Sequence, residues 1–251
     1  MTSVESSLEK GLGVIEYLAQ QGSAQGVSEI ARACGLAKTT AHRLLQLLRR
    51  TGYINKRGDP ARYFLSLKLW TLANQGLVQF DIREVAKPHL YELSRKTRES
   101  VHLSVLDDET VVFIDKVEGD HPIQAVTTLG ARGPGHCLAT GKAILAFTEA
   151  SYFEGRFRVL KSFTARTLRT RADLLQSLIK VREQGYAVSD REWFESIVGI
   201  AAPVLDAGHR PIAAVGIAGP AERLAKRTWG RIGAHVRAAA AEISHTIGSR
   251  R

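Results

Sequence analysis

The chain has 251 residues, 44% of them hydrophobic, and a formal net charge of +10. That length suits one large or two modest domains with a real core, and the basic excess points to a polyanionic partner. Two cysteines in unrelated contexts, Cys34 and Cys137, argue against a disulfide framework or a cysteine-rich metal site, and the lack of an evident signal peptide or a ~20-residue apolar run leads to the expectation of a cytoplasmic protein.

Residues 8–21 are predicted as a helix with Leu12, Ile15, Leu18 and Ala19 on its apolar face. Residues 21–26 form a glycine-bearing loop. A second helix is expected to start at an N-cap, Ser28, to bury Ile30, Ala31 and Cys34, and to end at Gly35, where a left-handed residue is wanted. The third helix opens on Lys38, Thr39 and Thr40. Its Ala41, Leu44, Leu45 and Leu48 recur at i, i+3, i+4, i+7 and make one buried stripe. Thr39, His42, Arg43, Gln46 and Arg50 make the opposite stripe, rich in donors for phosphates and base edges. A strand then starts near Ile54, residues 57–60 turn, and a second strand returns over Arg62 to Leu65.

Helix, turn, helix, hairpin is the order of a winged helix-turn-helix. A bare helix pair with a basic face is usually just solvated; the hairpin behind it shifts the reading. From Lys38 to Lys68 there are eight Lys/Arg and a single acid, Asp59. Such a block suits double-stranded DNA. The expected contacts are Lys38, Thr39, Thr40, His42, Arg43 and Gln46 on the helix, with Arg57 and Arg62 beside the wing turn as phosphate contacts. This DNA-binding domain is assigned to residues 1–67.

A linker helix is expected within 68–80, with Trp70 and Leu77 able to face a partner copy or to cap the wing. A second domain, 81–251, begins with a helix at 81–98 that Pro88 can kink. The period then changes to two. Strands are predicted at 101–106, 110–117 and 122–128, followed by a glycine-rich loop, a helix at 139–149, a helix at 173–184 ended by Gly185, strands at 186–190, 198–205 and 212–218, and a closing helix at 224–247. The fold class is therefore α+β.

No catalytic constellation is visible in this half. The stretch from Gly135 to Ala143 departs from a P-loop in both its spacing and the missing Ser/Thr after Lys142. His136 and Cys137 lack an orienting third group and read as a half-buried structural pair. The histidines show no ligand spacing, so neither metal nor cofactor is expected. What remains is a helix start at Ala139, Thr140 and Gly141, whose backbone N–H groups suit an anionic oxygen. That is a small-molecule pocket more than an active site.

The segments LAKTTAHRLLQLLRRTGYI, VAKPHLYELSRKTRESVHLSVLD, GHCLATGKAILAF, GYAVSDREWFESIVGIAAPV and AAVGIAGPAERL resemble the IclR family of bacterial transcriptional regulators. Ala37 and Thr39 stand where that family usually has proline and serine. The resemblance runs over nearly the whole chain. It implies a GAF-like antiparallel-sheet domain that binds a metabolite and controls DNA affinity, dimers or dimers of dimers, and regulation of a neighbouring catabolic operon as a repressor or an activator; a repressor is expected here, and dimer symmetry leads to the expectation of a pseudo-palindromic operator. It also implies an effector site. Ala139 and Thr140 match the family's small pair before Gly-Lys. Ser189 stands where an aspartate is frequent, Gly199 where cysteine or serine is, and Gly216 and Ala218 where two serines are. The site read from these residues, with Gly141 and with Ile144 and Ile197 as apolar wall, expects a small organic acid with a hydrophobic, even aromatic, body. The competing expectation is a second domain that only oligomerises and binds no effector.

Overall fold

A computed structural model describes residues 7–76, 82–125 and 127–249, and its contacts divide the chain into two units, 1–79 and 80–251. The first unit is built around the leucine stripe. Helices α1 (Ser7–Gln20), α2 (Val27–Ala33) and α3 (Lys38–Arg50) are followed by strands β2 (Ile54–Arg57) and β3 (Arg62–Leu65). Ala41, Leu44, Leu45 and Leu48 are all buried, so α3 does turn one face inward. Each fully buried leucine contributes roughly 2 kcal/mol of transfer free energy. Ile30, Val14, Leu18, Ile54 and Tyr63 complete that core. Gly35 takes φ +63 after α2.

Three sequence expectations change here. On α1 the inward residues are Gly11, Val14 and Leu18, while Leu12 is half exposed. The cap of α2 is Gly26 rather than Ser28, because the Glu29 carboxylate accepts from the Gly26 N–H at 2.6 Å. Part of the supposed loop is a short strand, β1 (Gln25–Gly26), that pairs with β3 at Tyr63 and Arg62. Helix α4 (Lys68–Gly76) follows the wing with Trp70 largely exposed; Leu77 lies outside the described residues.

The second unit is one six-stranded antiparallel sheet with helices on both faces. Its elements are α5 (Ile82–Thr97), β4 (Ser100–Asp107), β5 (Thr110–Val117), β6 (Arg132–Pro134), α6 (Ala139–Leu145), α7 (Arg171–Gln184), β7 (Ala187–Asp190), β8 (Ile197–Leu205), β9 (Pro211–Pro220) and α8 (Trp229–Ser249). The strand order is β6-β5-β4-β9-β8-β7. Period two sorts the side chains. Val101, Leu103, Val198, Ile200, Val215 and Ile217 pack on the α5/α8 face. Ala201 and Ala214 face α6 and α7, with Leu174 and Leu178. Thr170 caps α7, and Gly185 ends it at φ +77. The strand expected at 122–128 is absent from the described residues there; the chain turns at Gly130, where Gly130 and Ala131 already bond the Phe113 backbone, and β6 itself begins at Arg132. Helix α6 stops at Leu145, short of Glu149.

Candidate DNA face and effector pocket

On the face of α3 opposite its core, Lys38, Thr39, His42, Arg43 and Arg50 are exposed, and Thr40 and Gln46 are partly so. Gln46 reaches His42 at 3.4 Å along the helix. At the wing, Arg57 lies over the Phe64 ring, 5.3 Å from its centroid. Its neighbour in register is Arg62. The structure gives Arg62 a different setting from the one expected. Its Nε donates to the Ala24 carbonyl at 2.8 Å, and its Nη2 pairs with Glu29 at 3.1 Å. The Glu29 carboxyl is held below its usual range, first by the Gly26 N–H and then by Arg62. Arg62 therefore ties β3 to the start of α2, with its charge offset, whereas among the described residues no carboxylate pairs with Arg57.

In the second unit a cavity of about 500 Å³ opens on the α6 side of the sheet. The even positions of β9, the Gly199 side of β8 and His102 on β4 form its floor; Ala139 and Thr140 at the start of α6 form one wall. Phe113, Trp193, Phe194 and Ile197 supply apolar area. Trp193 and Phe194 lie 4.5 Å apart by ring centroid, and the Trp193 ring rests over Gly133 of β6. Gln124 accepts from the Ser100 hydroxyl at 3.1 Å, which leaves its amide nitrogen as a donor. In the first turn of α6 the backbone N–H groups have no helical acceptor.

Six of the expected pocket residues meet here: Ala139, Thr140, Ile197, Gly199, Gly216 and Ala218. Three do not line the cavity. Ser189 donates its hydroxyl to the Cys137 carbonyl at 2.5 Å beneath the wall. Ile144 packs among Phe153, Phe157 and Leu178. Gly141 lies against the Gly135 backbone. Gly216 does line the cavity, yet a Cβ there would sit 2.6 Å from that of Ala201, so it serves strand packing as much as space. Residues missed were His102, Phe113, Gln124, Trp193 and Phe194; the aromatic pair in the SDREWFES segment was the one signal available.

Behind the wall lie buried ions. Lys142 Nζ meets Glu192 Oε1 at 2.5 Å and donates to the Val188 carbonyl at 2.7 Å. Burial pushes the Glu192 carboxyl up. Cys137 is fully buried, not half-buried as expected, and burial, with Glu192 nearby, pushes its thiol up to about 12, so no thiolate nucleophile forms at neutral pH. His136 bonds the Lys161 carbonyl through Nε2 at 3.1 Å.

Two family models match: the IclR helix-turn-helix domain over residues 7–58 and the bacterial transcriptional regulator IclR C-terminal domain over 74–245. The chain belongs to the IclR family of transcriptional regulators. Members of this family are DNA-binding regulators rather than enzymes. Among relatives, the chain is 34% identical over 248 residues to the glycerol operon regulatory protein of Streptomyces coelicolor, covering 98% of this chain and 97% of that one. The crystal structure of the Thermotoga maritima IclR matches with a TM-score of 0.79 and 30% identity over 96% of this chain and 98% of that one. An IclR homologue from Microbacterium hydrocarbonoxydans, crystallised with 4-hydroxybenzoate, matches with a TM-score of 0.84 and 25% identity over 98% of this chain and all of that one.

Proposed function

We propose that this regulator is a repressor of a catabolic operon, acting as a dimer or dimer of dimers on a pseudo-palindrome and released by a small acid with a hydrophobic body. The observation that carries the effector reading is the cavity itself. It is open and walled by aromatic rings, which supports ligand sensing over a purely oligomeric second domain. Its size and apolar wall suit an aromatic monoacid, the kind of ligand held by the Microbacterium homologue. Repression is the economical reading, since operator occupancy alone suffices for it.

The DNA half of the proposal assigns base-edge reading to Lys38, Thr39, Thr40, His42, Arg43 and Gln46, and phosphate contact to Arg57. Arg43→Ala is expected to cost about 1–3 kcal/mol in operator affinity and to flatten preference at one base position in each of two half-sites. Arg57→Ala should weaken all sequences alike and lower the salt slope by about one unit. Arg62→Ala should leave the slope nearer wild type and instead lower the melting temperature of the first unit. A binding-site selection and salt titration on the three variants checks this; an unchanged site preference with Arg43→Ala removes α3 from the reading head.

The effector half is tested by filling the cavity. Ala218 is partly exposed on its floor, so Ala218→Leu adds bulk where there is room. It should raise the benzoate concentration needed for operator release by tenfold or more, while operator affinity without benzoate stays near wild type. Equal benzoate response in the two proteins, read by fluorescence anisotropy on labelled operator, places the effector elsewhere.

A further inference from the structure

An acid entering this cavity meets no fixed cation. None of the described lining residues is Lys, Arg, Asp or Glu. Among the described residues, two ion pairs with buried carboxylates lie outside the lining, Lys142 with Glu192 and Arg223 with Glu99, and in each the charges already offset each other. A carboxylate transferred alone into such surroundings is strongly disfavoured. One titratable side chain is found among the described lining residues, His102.

His102 is 4% exposed, on β4. Its register neighbours are Gly216 on β9 and Lys116 on β5. Gly216 brings no side chain, so the floor beside the imidazole stays clear, and Phe113 closes it edge-on with ring centroids 5.3 Å apart. The groups on the surrounding elements are neutral in the main: Gly216 and Ala218 from β9, Ala139 and Thr140 from α6, Trp193 and Ile197 from the chain before and into β8. The charged group that acts on His102 is Lys116, whose ammonium is drawn toward Glu118 at 2.9 Å. Burial first, and Lys116 second, hold the imidazole neutral, with its pKa at about 4.

We propose that the effector acid binds together with one proton, taken from solvent onto His102, so that the filled cavity holds an imidazolium and a carboxylate with no net charge. This rests on the effector reading above and names its ligand class: a monocarboxylate with a neutral apolar body. A dicarboxylate brings a second negative charge for which the described lining has no proton acceptor. The driving force is reciprocal: an anion beside His102 raises its pKa, and a proton on His102 raises affinity for the anion.

The test is calorimetry of the full chain with benzoate and with its neutral analogue benzamide, in buffers of low and high ionisation enthalpy. At pH 6 about one proton should be taken up per benzoate and none per benzamide. Benzoate affinity should fall about tenfold per unit of pH from 5 to 7, and benzamide affinity should stay flat. His102→Gln should abolish the uptake, weaken benzoate at least tenfold at pH 6 and flatten the pH dependence of benzoate affinity. Benzoate binding with no proton uptake in the wild type overturns the inference but leaves the pocket standing. Uptake that persists in His102→Gln also overturns it, since the proton then rides on the ligand. If neither benzoate nor benzamide binds the wild type, the effector reading itself fails.

Discussion

Gly141→Ala is expected to unfold the second unit. A Cβ at Gly141 would sit 2.1 Å from the Gly135 carbonyl oxygen and 2.7 Å from the Gly135 Cα and carbonyl carbon. All three are backbone atoms, so no rotamer change relieves the overlap. Gly135 is itself pinned, its N–H donating to the Glu109 carbonyl at 2.9 Å. One added methyl must therefore push α6 off the sheet and break the contacts of Ala139, Ala143 and Leu145 with their core. Overpacking against movable side chains costs about 1–3 kcal/mol; against fixed backbone the expected cost is about 4 kcal/mol or more. The melt should lose or strongly lower the transition of the second unit, while the first unit keeps its own core and its own transition. A soluble variant that melts as the wild type does contradicts this packing.

The buried Lys142–Glu192 pair is expected to be nearly as sensitive, and unequally so on its two sides. Side-chain exposures of 4% and 9% leave little water for either ion. Glu192→Ala strands the Lys142 ammonium with the Val188 carbonyl as its remaining partner and should cost about 3–5 kcal/mol at neutral pH. Lys142→Met strands a carboxyl, which can neutralise itself by taking up a proton. Burial already raises Glu192 above 4.5, and removing Lys142, which lowers it, raises it further. With the folded pKa above the unfolded one, the folded state holds the extra proton. Stability of Lys142→Met is thus fully retained below pH 4.5 and lost as pH rises through the folded value. Urea titrations from pH 4 to 8 should show its stability deficit growing with pH. A deficit that shrinks as pH rises reverses the assignment.

The helices that bury a single stripe were legible from the residues. Ala41, Leu44, Leu45 and Leu48 keep strict helical spacing, and α3 lies as that spacing dictates. Helix α1 shows the limit: Leu8, Leu12 and Ile15 compete with Val14 and Leu18 for the inward face, and packing on α2 and α3 decides for the smaller set. Helix α6 is buried at every position, so periodicity says nothing about which side faces the cavity; hence the sequence suggests Ile144 for the wall, and it lies in the core. Trp193 and Phe194 come from a loop with no period to read. Ser189 was located by strand but not by partner, because only the fold brings Cys137 beneath it. Arg62 was read by its charge, and the Glu29 carboxylate that takes up that charge stands 33 residues away in sequence.

Strand β9 has a consequence for how such a sensor changes its taste. Ala213, Val215 and Ile217 anchor the core beneath α8, while Gly216 and Ala218, one step out of phase, touch the cavity. Two vocabularies are interleaved on one strand, and the pleat keeps them from interfering. Of the cavity letters, Gly216 is locked by Ala201, but Gly199 has ordinary clearance, its would-be Cβ 3.4 Å from that of Ala139. On the proposed effector reading, variation at Gly199 and Ala218 therefore alters ligand fit with little toll on the core. If the proposed acid binds there, a library randomised at these two positions alone is the short mutational path from one small acid to another.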